Sequence, residues 1–352
     1  MADVNVAILG LARLGVSFGL ALKRYMKRQD AAHTFTVTGY DERGYHGKKA
    51  REMGAVDSLA RSADSAVSGA HIVLLTLPYH QVEQTYHLIG PRLAPGAVVL
   101  DASPLKQPSI GWAAQTFPQQ PESAAYLVGI TPVLNPEVLL DPSVEVEDAR
   151  ADLFDRGTLV LTPGPGCPAE AVELATEFAR IVGASVHFMD VAEHDGLIAG
   201  MEGLPALLSL GLFRMLSLAE AWGDLRRLAN PSFGVMTQHL RNWHPDALWA
   251  LLHYNRQNTA RYLAALINTL QELHGSLAED EEGLQLEAAL GQSAARYEEW
   301  EQQRFSNVWE KEQDVSMPGG GFLSMVGGAV LGQRVSKDKE EKDKDARKKK
   351  SR

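Results

Sequence analysis

The stretch Val4-Asn-Val-Ala-Ile-Leu9, followed at once by Gly10-Leu-Ala-Arg-Leu-Gly15, decides how the rest of the chain is read. A short apolar run passes into a glycine-bounded turn, and beyond it Leu14, Phe18, Ala21, Leu22 and Tyr25 share one face of a helical repeat. Strand, turn and helix in that order make the hexapeptide a phosphate cradle. The first glycine allows the tight turn and the last lets helix and strand pack closely. The helix start then offers unpaired N–H groups and a partial positive charge to a pyrophosphate. Ala12 replaces the middle glycine and is small enough to keep the backbone approach. Gly10, Ala12, Arg13, Leu14 and Gly15 are the expected cofactor contacts, joined by Leu77 and Pro78 at the end of a later strand. Asp41, closing the second strand, is placed to accept hydrogen bonds from an adenosine ribose, and its charge repels a 2′-phosphate. NAD is therefore expected over NADP, with Arg43, Lys48 and Lys49 near enough in sequence to reverse that order.

Outward from this stretch, strands are expected at Val4–Leu9, Phe35–Tyr40, Ile72–Leu77, Val98–Asp101, Tyr126–Ile130, Leu159–Thr162 and Ser185–Met189, with helical patterns between them. That alternation predicts an α/β chain whose residues 1–190 form an N-terminal Rossmann-type doubly wound domain. After Asp190 the strand signals stop. Ala, Leu, Glu, Gln and Arg dominate from Glu193 to about Phe305, predicting an all-helical C-terminal domain over residues 191–312. Ala247–Leu273 keeps one apolar rhythm and reads as a single long helix, central to a bundle or to an oligomer contact. Residues 313–352 read as a Gly-rich and charged disordered tail. Within it Met317–Gly332 falls short of the roughly 20 residues a bilayer crossing needs, so no stable membrane insertion is expected.

Of the 352 residues 45% are hydrophobic and 22% charged, enough to bury two domain cores. A formal net charge of -10 argues against a nucleic-acid partner, because phosphate backbones are held by an excess of Lys and Arg. Cys167 is the single cysteine, so neither an internal disulfide nor a multi-thiolate metal site can form. His239, His244 and His253 fall in no metal-binding spacing, and no metal is expected. The reducing compartment suggested by one cysteine, and a start without an export signal, make the expected location cytoplasmic.

Several blocks are similar to those of the prephenate and arogenate dehydrogenases. They are VAILGLARLG (6–15) with VTGYDER (37–43), the run from Ala70 to Lys106, DLFDRGTLVLTP (152–163), ASVHFMDVAEHDGLIAGMEGLP (184–205) and WALLHYNRQN (249–258). The resemblance implies a Rossmann-type domain followed by a helical domain that forms a homodimer, with the active site in the cleft between them. It also implies an NAD(P)-dependent oxidoreductase acting on a small-molecule substrate. Hydride leaves a ring carbon bearing a hydroxyl, the hydroxyl loses its proton, and carbon dioxide departs, an oxidative decarboxylation toward tyrosine.

The chain departs from that family at the positions that carry the chemistry. Thr131 stands where the family has a catalytic histidine, and a threonine hydroxyl has no useful basicity at neutral pH. Glu202 and Gly203 precede Leu204-Pro205 where a second imidazole is expected, and Gln238 replaces the substrate-binding arginine, leaving Arg241 as the nearby cation. In Asp101-Ala-Ser-Pro-Leu-Lys106, Pro104 takes the usual serine position, with Ser103 one residue earlier and Lys106 retained. The catalytic candidates are therefore Thr131, His194, Glu202, Lys106 and Ser103, with Gln238 and Arg241 for substrate binding. His194 belongs to a retained His-Asp pair that either faces the cleft or caps a helix. Glu202 can serve as a desolvated base, Lys106 can pair with a substrate anion, and His80 borders the nicotinamide region. Three functions stay open: a dehydrogenase of this type, a related one acting on another hydroxy or imine compound, or a nucleotide-binding regulatory protein without turnover.

Overall fold

The computed structural model describes residues 2–280, 282–307 and 309, so the tail expected over 313–352 lies outside the described residues. β1 (Ala2–Leu9), β2 (His33–Tyr40), β3 (Ser58–Leu59), β4 (Ile72–Leu75), β5 (Val98–Asp101), β6 (Tyr126–Val133), β7 (Thr158–Pro163) and β8 (Ser185–Phe188) join in one sheet. All but β3 fall where the apolar runs place them. β3 has only two residues, both exposed, and so gives no apolar signal. The strand order is β3-β2-β1-β4-β5-β6-β7-β8, parallel throughout except for the β6–β7 pair. Chain direction across the sheet reverses between β1 and β4, and in such a doubly wound sheet the crevice beyond the strand ends at that point is where ligands bind.

Both faces of the sheet are covered. α1 (Arg13–Tyr25) brings Phe18 against Phe154 at a ring separation of 4.2 Å, and Phe178 packs on the same ring. α2 (Gly44–Glu52), α3 (Ala63–Val67), α4 (Val82–Ile89), α5 (Lys106–Thr116) and α6 (Ala169–Val182) complete the layers. The core on the opposite face from Phe18 contains Tyr79, Tyr86, Trp112 and Phe117, and Ala247, Ala250 and Leu251 from the second half of the chain enter it as well.

From Val191 onward the described residues are helical: α7 (Val191–Ile198), a π-helical turn (Ala199–Gly203), α8 (Leu204–Ser217), α9 (Trp222–Leu225), α10 (Pro231–Thr237), α11 (His239–Asn242), α12 (Pro245–Tyr254), α13 (Arg256–Glu279) and α14 (Leu284–Ser306). Val191–Ser217 is long and apolar enough by composition to cross a membrane, but its first turns carry the buried pair His194 and Asp195, tied to the sheet layer. The single helix expected over Ala247–Leu273 is two helices. Asn255 breaks the run at φ −113° and ψ 22° because its side-chain amide is drawn aside to donate to the Asp195 carbonyl at 2.6 Å.

Candidate active site

The expected cofactor turn has the shape its sequence predicts. Gly10 lies at φ +98°, and a Cβ there would stand 2.6 Å from the Thr76 carbonyl oxygen, so only glycine fits. Its N–H donates to Tyr40 O at 2.9 Å and its carbonyl accepts from Thr76 Oγ1 at 2.7 Å, which fastens the turn between β2 and β4. Gly15 lies directly against the Gly10 carbonyl, and the Leu77 amide closes on Gly10 just before Pro78. The N–H groups of Ala12, Leu14 and Gly15 have no acceptor among the described residues, as an anion seat requires.

Two members of the expected cofactor set are already engaged. Asp41 accepts from Leu11 N–H at 2.6 Å and Arg43 N–H at 2.8 Å, with His46 Nδ1 at 3.2 Å, so its carboxylate first of all ties the turn to the start of α2. Arg13 does not reach forward to a phosphate. Its guanidinium is 5% exposed and faces the segment that follows β6, donating to Asp141 Oδ2 at 2.7 Å, Ser143 O at 2.9 Å and Asp148 O at 3.1 Å.

At the end of β6, Thr131 Oγ1 lies 2.7 Å from His194 Nε2, and His194 Nδ1 lies 2.9 Å from Asp195 Oδ1. A carboxylate can only accept, so Nδ1 carries the proton, Nε2 is left as the acceptor, and Thr131 donates to it. An imidazole from α7, 63 residues away in sequence, thus stands against the hydroxyl at position 131. Burial lowers the His194 pKa below the usual imidazole range, with Asp195 opposing, so the ring is neutral and basic at physiological pH. Of the two alternatives for the His-Asp pair, these contacts bear on the helix-capping one: Asp195 accepts from the first two amides of α5, Lys106 N–H at 2.8 Å and Gln107 N–H at 2.9 Å, while Asp190 caps α7 itself.

Lys106 is not available to a substrate anion. It is 1% exposed, and its ammonium donates to the carbonyl oxygens of Asp101 (3.0 Å), Ser103 and Ile130 (2.7 Å). All three of its protons are used, binding the ends of β5 and β6 to the loop between them. Gly129 lets the stem cross β6, since a Cβ there would meet Lys106 Cδ at 2.8 Å. Burial pushes the Lys106 pKa down to about 8, against the charges of Asp101 and Asp195. Ser103 is likewise 4% exposed, its hydroxyl donating to Asp101, whose other oxygen accepts from Tyr86 OH at 2.9 Å. Asp101 escaped the sequence reading as a functional residue. The available signal was a carboxylate ending the otherwise apolar, fully buried strand Val98–Asp101.

Glu202 sits in the π-helical turn, half-buried, with its pKa raised by desolvation and with no hydrogen-bond or ionic partner among the described residues. Gln238 lies between α10 and α11 and Arg241 on α11, both helices beside α8, and no hydrogen bond or ion pair joins them to Thr131, His194 or Lys106. His80 stacks on His244 at 4.6 Å with its Nδ1 buried and unpartnered. Trp243 packs on the core, and Trp249 is 59% exposed on α12, stacked on His253. Burial raises the Cys167 thiol to about 11, which suits an inert side chain. Among the described residues no group of three His, Cys, Asp or Glu is arranged to hold a metal ion.

Residues 18–188 match the family described as prephenate dehydrogenase, nucleotide-binding domain, a match that begins just after the glycine turn. Cyclohexadienyl dehydrogenase of Zymomonas mobilis is 24% identical over 213 residues, 60% of this chain and 67% of that protein. Prephenate dehydrogenase of Bacillus subtilis is 25% identical over 258 residues, so the chain covers 71% of itself but only 64% of that relative. Among solved structures, prephenate dehydrogenase of A. aeolicus with hydroxyphenyl propionate and NAD+ shares the fold at a TM-score of 0.69 and 19% identity, over 84% of this chain and 98% of that one.

Proposed function

We propose that this chain, a member of the prephenate dehydrogenase family through its nucleotide-binding residues 18–188, is an NAD(P)-dependent oxidoreductase of the prephenate or arogenate type. The observation that carries the reading is the hydrogen-bonded chain from half-buried Thr131 to buried His194 and Asp195 at the end of β6. A substrate hydroxyl meeting Thr131 Oγ1 passes its proton to that oxygen while Thr131 passes its own to His194 Nε2, and Asp195 stabilises the imidazolium that forms. The nicotinamide, when bound, accepts the hydride. Lys106 and Asp101 hold the strand ends and Ser103 in place, so that the acceptor oxygen meets the substrate at a fixed position. Asp41 favours NAD. In this reading residues 1–190 serve the cofactor, residues 191–312 serve the substrate and a homodimer contact, and the enzyme is cytoplasmic. The dimer is supported by exposed Phe213, Met215, Ile267, Leu270, Leu277 and Leu290 on α8, α13 and α14.

Purified protein given NAD with prephenate, or with arogenate, is expected to produce reduced nicotinamide, read by its absorbance. Absence of turnover with both compounds would remove this substrate assignment. A second reading, the same acid–base chain acting on another hydroxy or imine compound, is favoured by Gln238, which offers hydrogen bonds where a charged clamp would select a carboxylate. It predicts NAD-dependent oxidation of such a compound and no binding of prephenate in calorimetry.

A further inference from the structure

The first-turn amides of a phosphate-binding helix must be open to the ligand, and one of those on α1 is not. Arg13 N–H donates to Val144 O at 3.3 Å. Val144 belongs to the segment that leaves β6 and returns to β7, and three further contacts hold that segment across the turn. The Arg13 guanidinium reaches Asp141, Ser143 and Asp148, the Tyr45 hydroxyl on α2 donates to Glu147, and the Asn242 side chain on α11 donates to Pro142 O at 2.9 Å. The residues nearest the turn are otherwise lightly anchored. Leu140, Asp141, Pro142 and Val144 are exposed, whereas Val146 is fully buried in the core.

We propose that residues 139–145 are a strap that closes the anion seat at the start of α1, and that a dinucleotide diphosphate binds only after the strap swings away from Arg13 while Val146 stays in place. The proposal rests on reading the Gly10–Gly15 turn as the cofactor seat. A phosphate oxygen and the Val144 carbonyl oxygen cannot both take the Arg13 amide. Four acidic side chains carried on or beside the strap, Asp141, Glu145, Glu147 and Asp148, would also repel the incoming phosphates. Opening frees the Arg13 amide together with its guanidinium, so the cation that now latches the strap becomes a phosphate ligand. The fastening is mainly polar, which places the segment among the parts of a fold that open locally without global unfolding.

Asp141→Ala removes the charged end of the latch without touching the glycine turn. In the full chain, NAD binding followed by fluorescence titration is expected to tighten on the order of tenfold in this variant, because the apparent affinity of a closed site scales with its open fraction. Amide hydrogen exchange read on peptides covering 139–148 should rise in the variant, and should rise in the unaltered protein when NAD is added. If the single change leaves strap exchange as it was, the double variant Asp141→Ala with Tyr45→Phe is read in the same way. NAD binding that leaves strap exchange unchanged overturns the proposal, as does an opened strap with no gain in affinity. Failure of every variant to bind NAD, with strap exchange raised, overturns the underlying cofactor reading and the strap with it.

Discussion

The turn at Gly10–Gly15 and the floor at Thr131, the proposed acid–base site, lie along the same edge of one sheet and are in opposite conditions. The turn keeps nearly every residue its motif demands, yet the chain's own segment occupies one of its amides. The floor has lost the histidine expected at position 131, yet an imidazole from another helix stands 2.7 Å from the hydroxyl that replaced it. An intact motif is therefore no measure of an open site, and a broken one is no measure of lost chemistry. The first is a property of contiguous residues; the second depends on what the fold brings near them.

The largest effect is expected where that comparison is sharpest. His194→Asn should lower kcat by about a hundred- to ten-thousand-fold, the range of a removed general base, while NAD titration stays unchanged; equal loss of cofactor binding would show that the two regions are not separate. Lys106→Met leaves three buried carbonyls without a donor, and urea unfolding should report a loss of about 3–5 kcal/mol. Thr131→Val, which keeps the shape but breaks the relay, should cost roughly ten- to a hundredfold in kcat, and Thr131→Ser should restore most of it.

Two pH experiments follow, with smaller effects. The base works only when neutral, so kcat/KM should fall as pH drops through the His194 pKa. Because burial lowers that pKa, the acid limb should lie below the ordinary imidazole value near 6.5. Glu202 has its folded pKa raised, so the folded state holds this proton more firmly than the unfolded one and stability falls as pH rises above the unfolded value of 4.5. Glu202→Gln should therefore raise the urea midpoint at pH 7 and leave it unchanged near pH 4. A gap of the same size at both pH values would assign the effect to packing instead.

Most of the sheet was legible because its strands are short apolar runs bounded by polar turns, and β5 was placed to the residue. What failed to show in the sequence was set by distant partners. The break at Asn255 follows from a hydrogen bond to a residue 60 positions earlier, and no feature of the apolar rhythm from Ala247 to Leu273 announces it. Lys106 reads as a substrate cation because nothing local reveals that three carbonyls, from two strand ends and the loop after β5, surround its head group. His194 is visible as a candidate, but its pairing with Thr131 depends on how α7 docks across β6, and the hold of Arg13 on residues 141–148 depends on partners 128 to 135 positions away.

One carboxylate links the two halves of the molecule. Asp195 belongs to the first helix beyond the sheet, the amides it grips belong to α5 in the sheet layer, and the imidazole it orients faces a strand end. A rigid-body parting of the halves would strip both amide contacts and draw His194 away from Thr131 at once. In the proposed mechanism the acid–base chain is therefore assembled only while the two halves stay together, and parting them would disarm it.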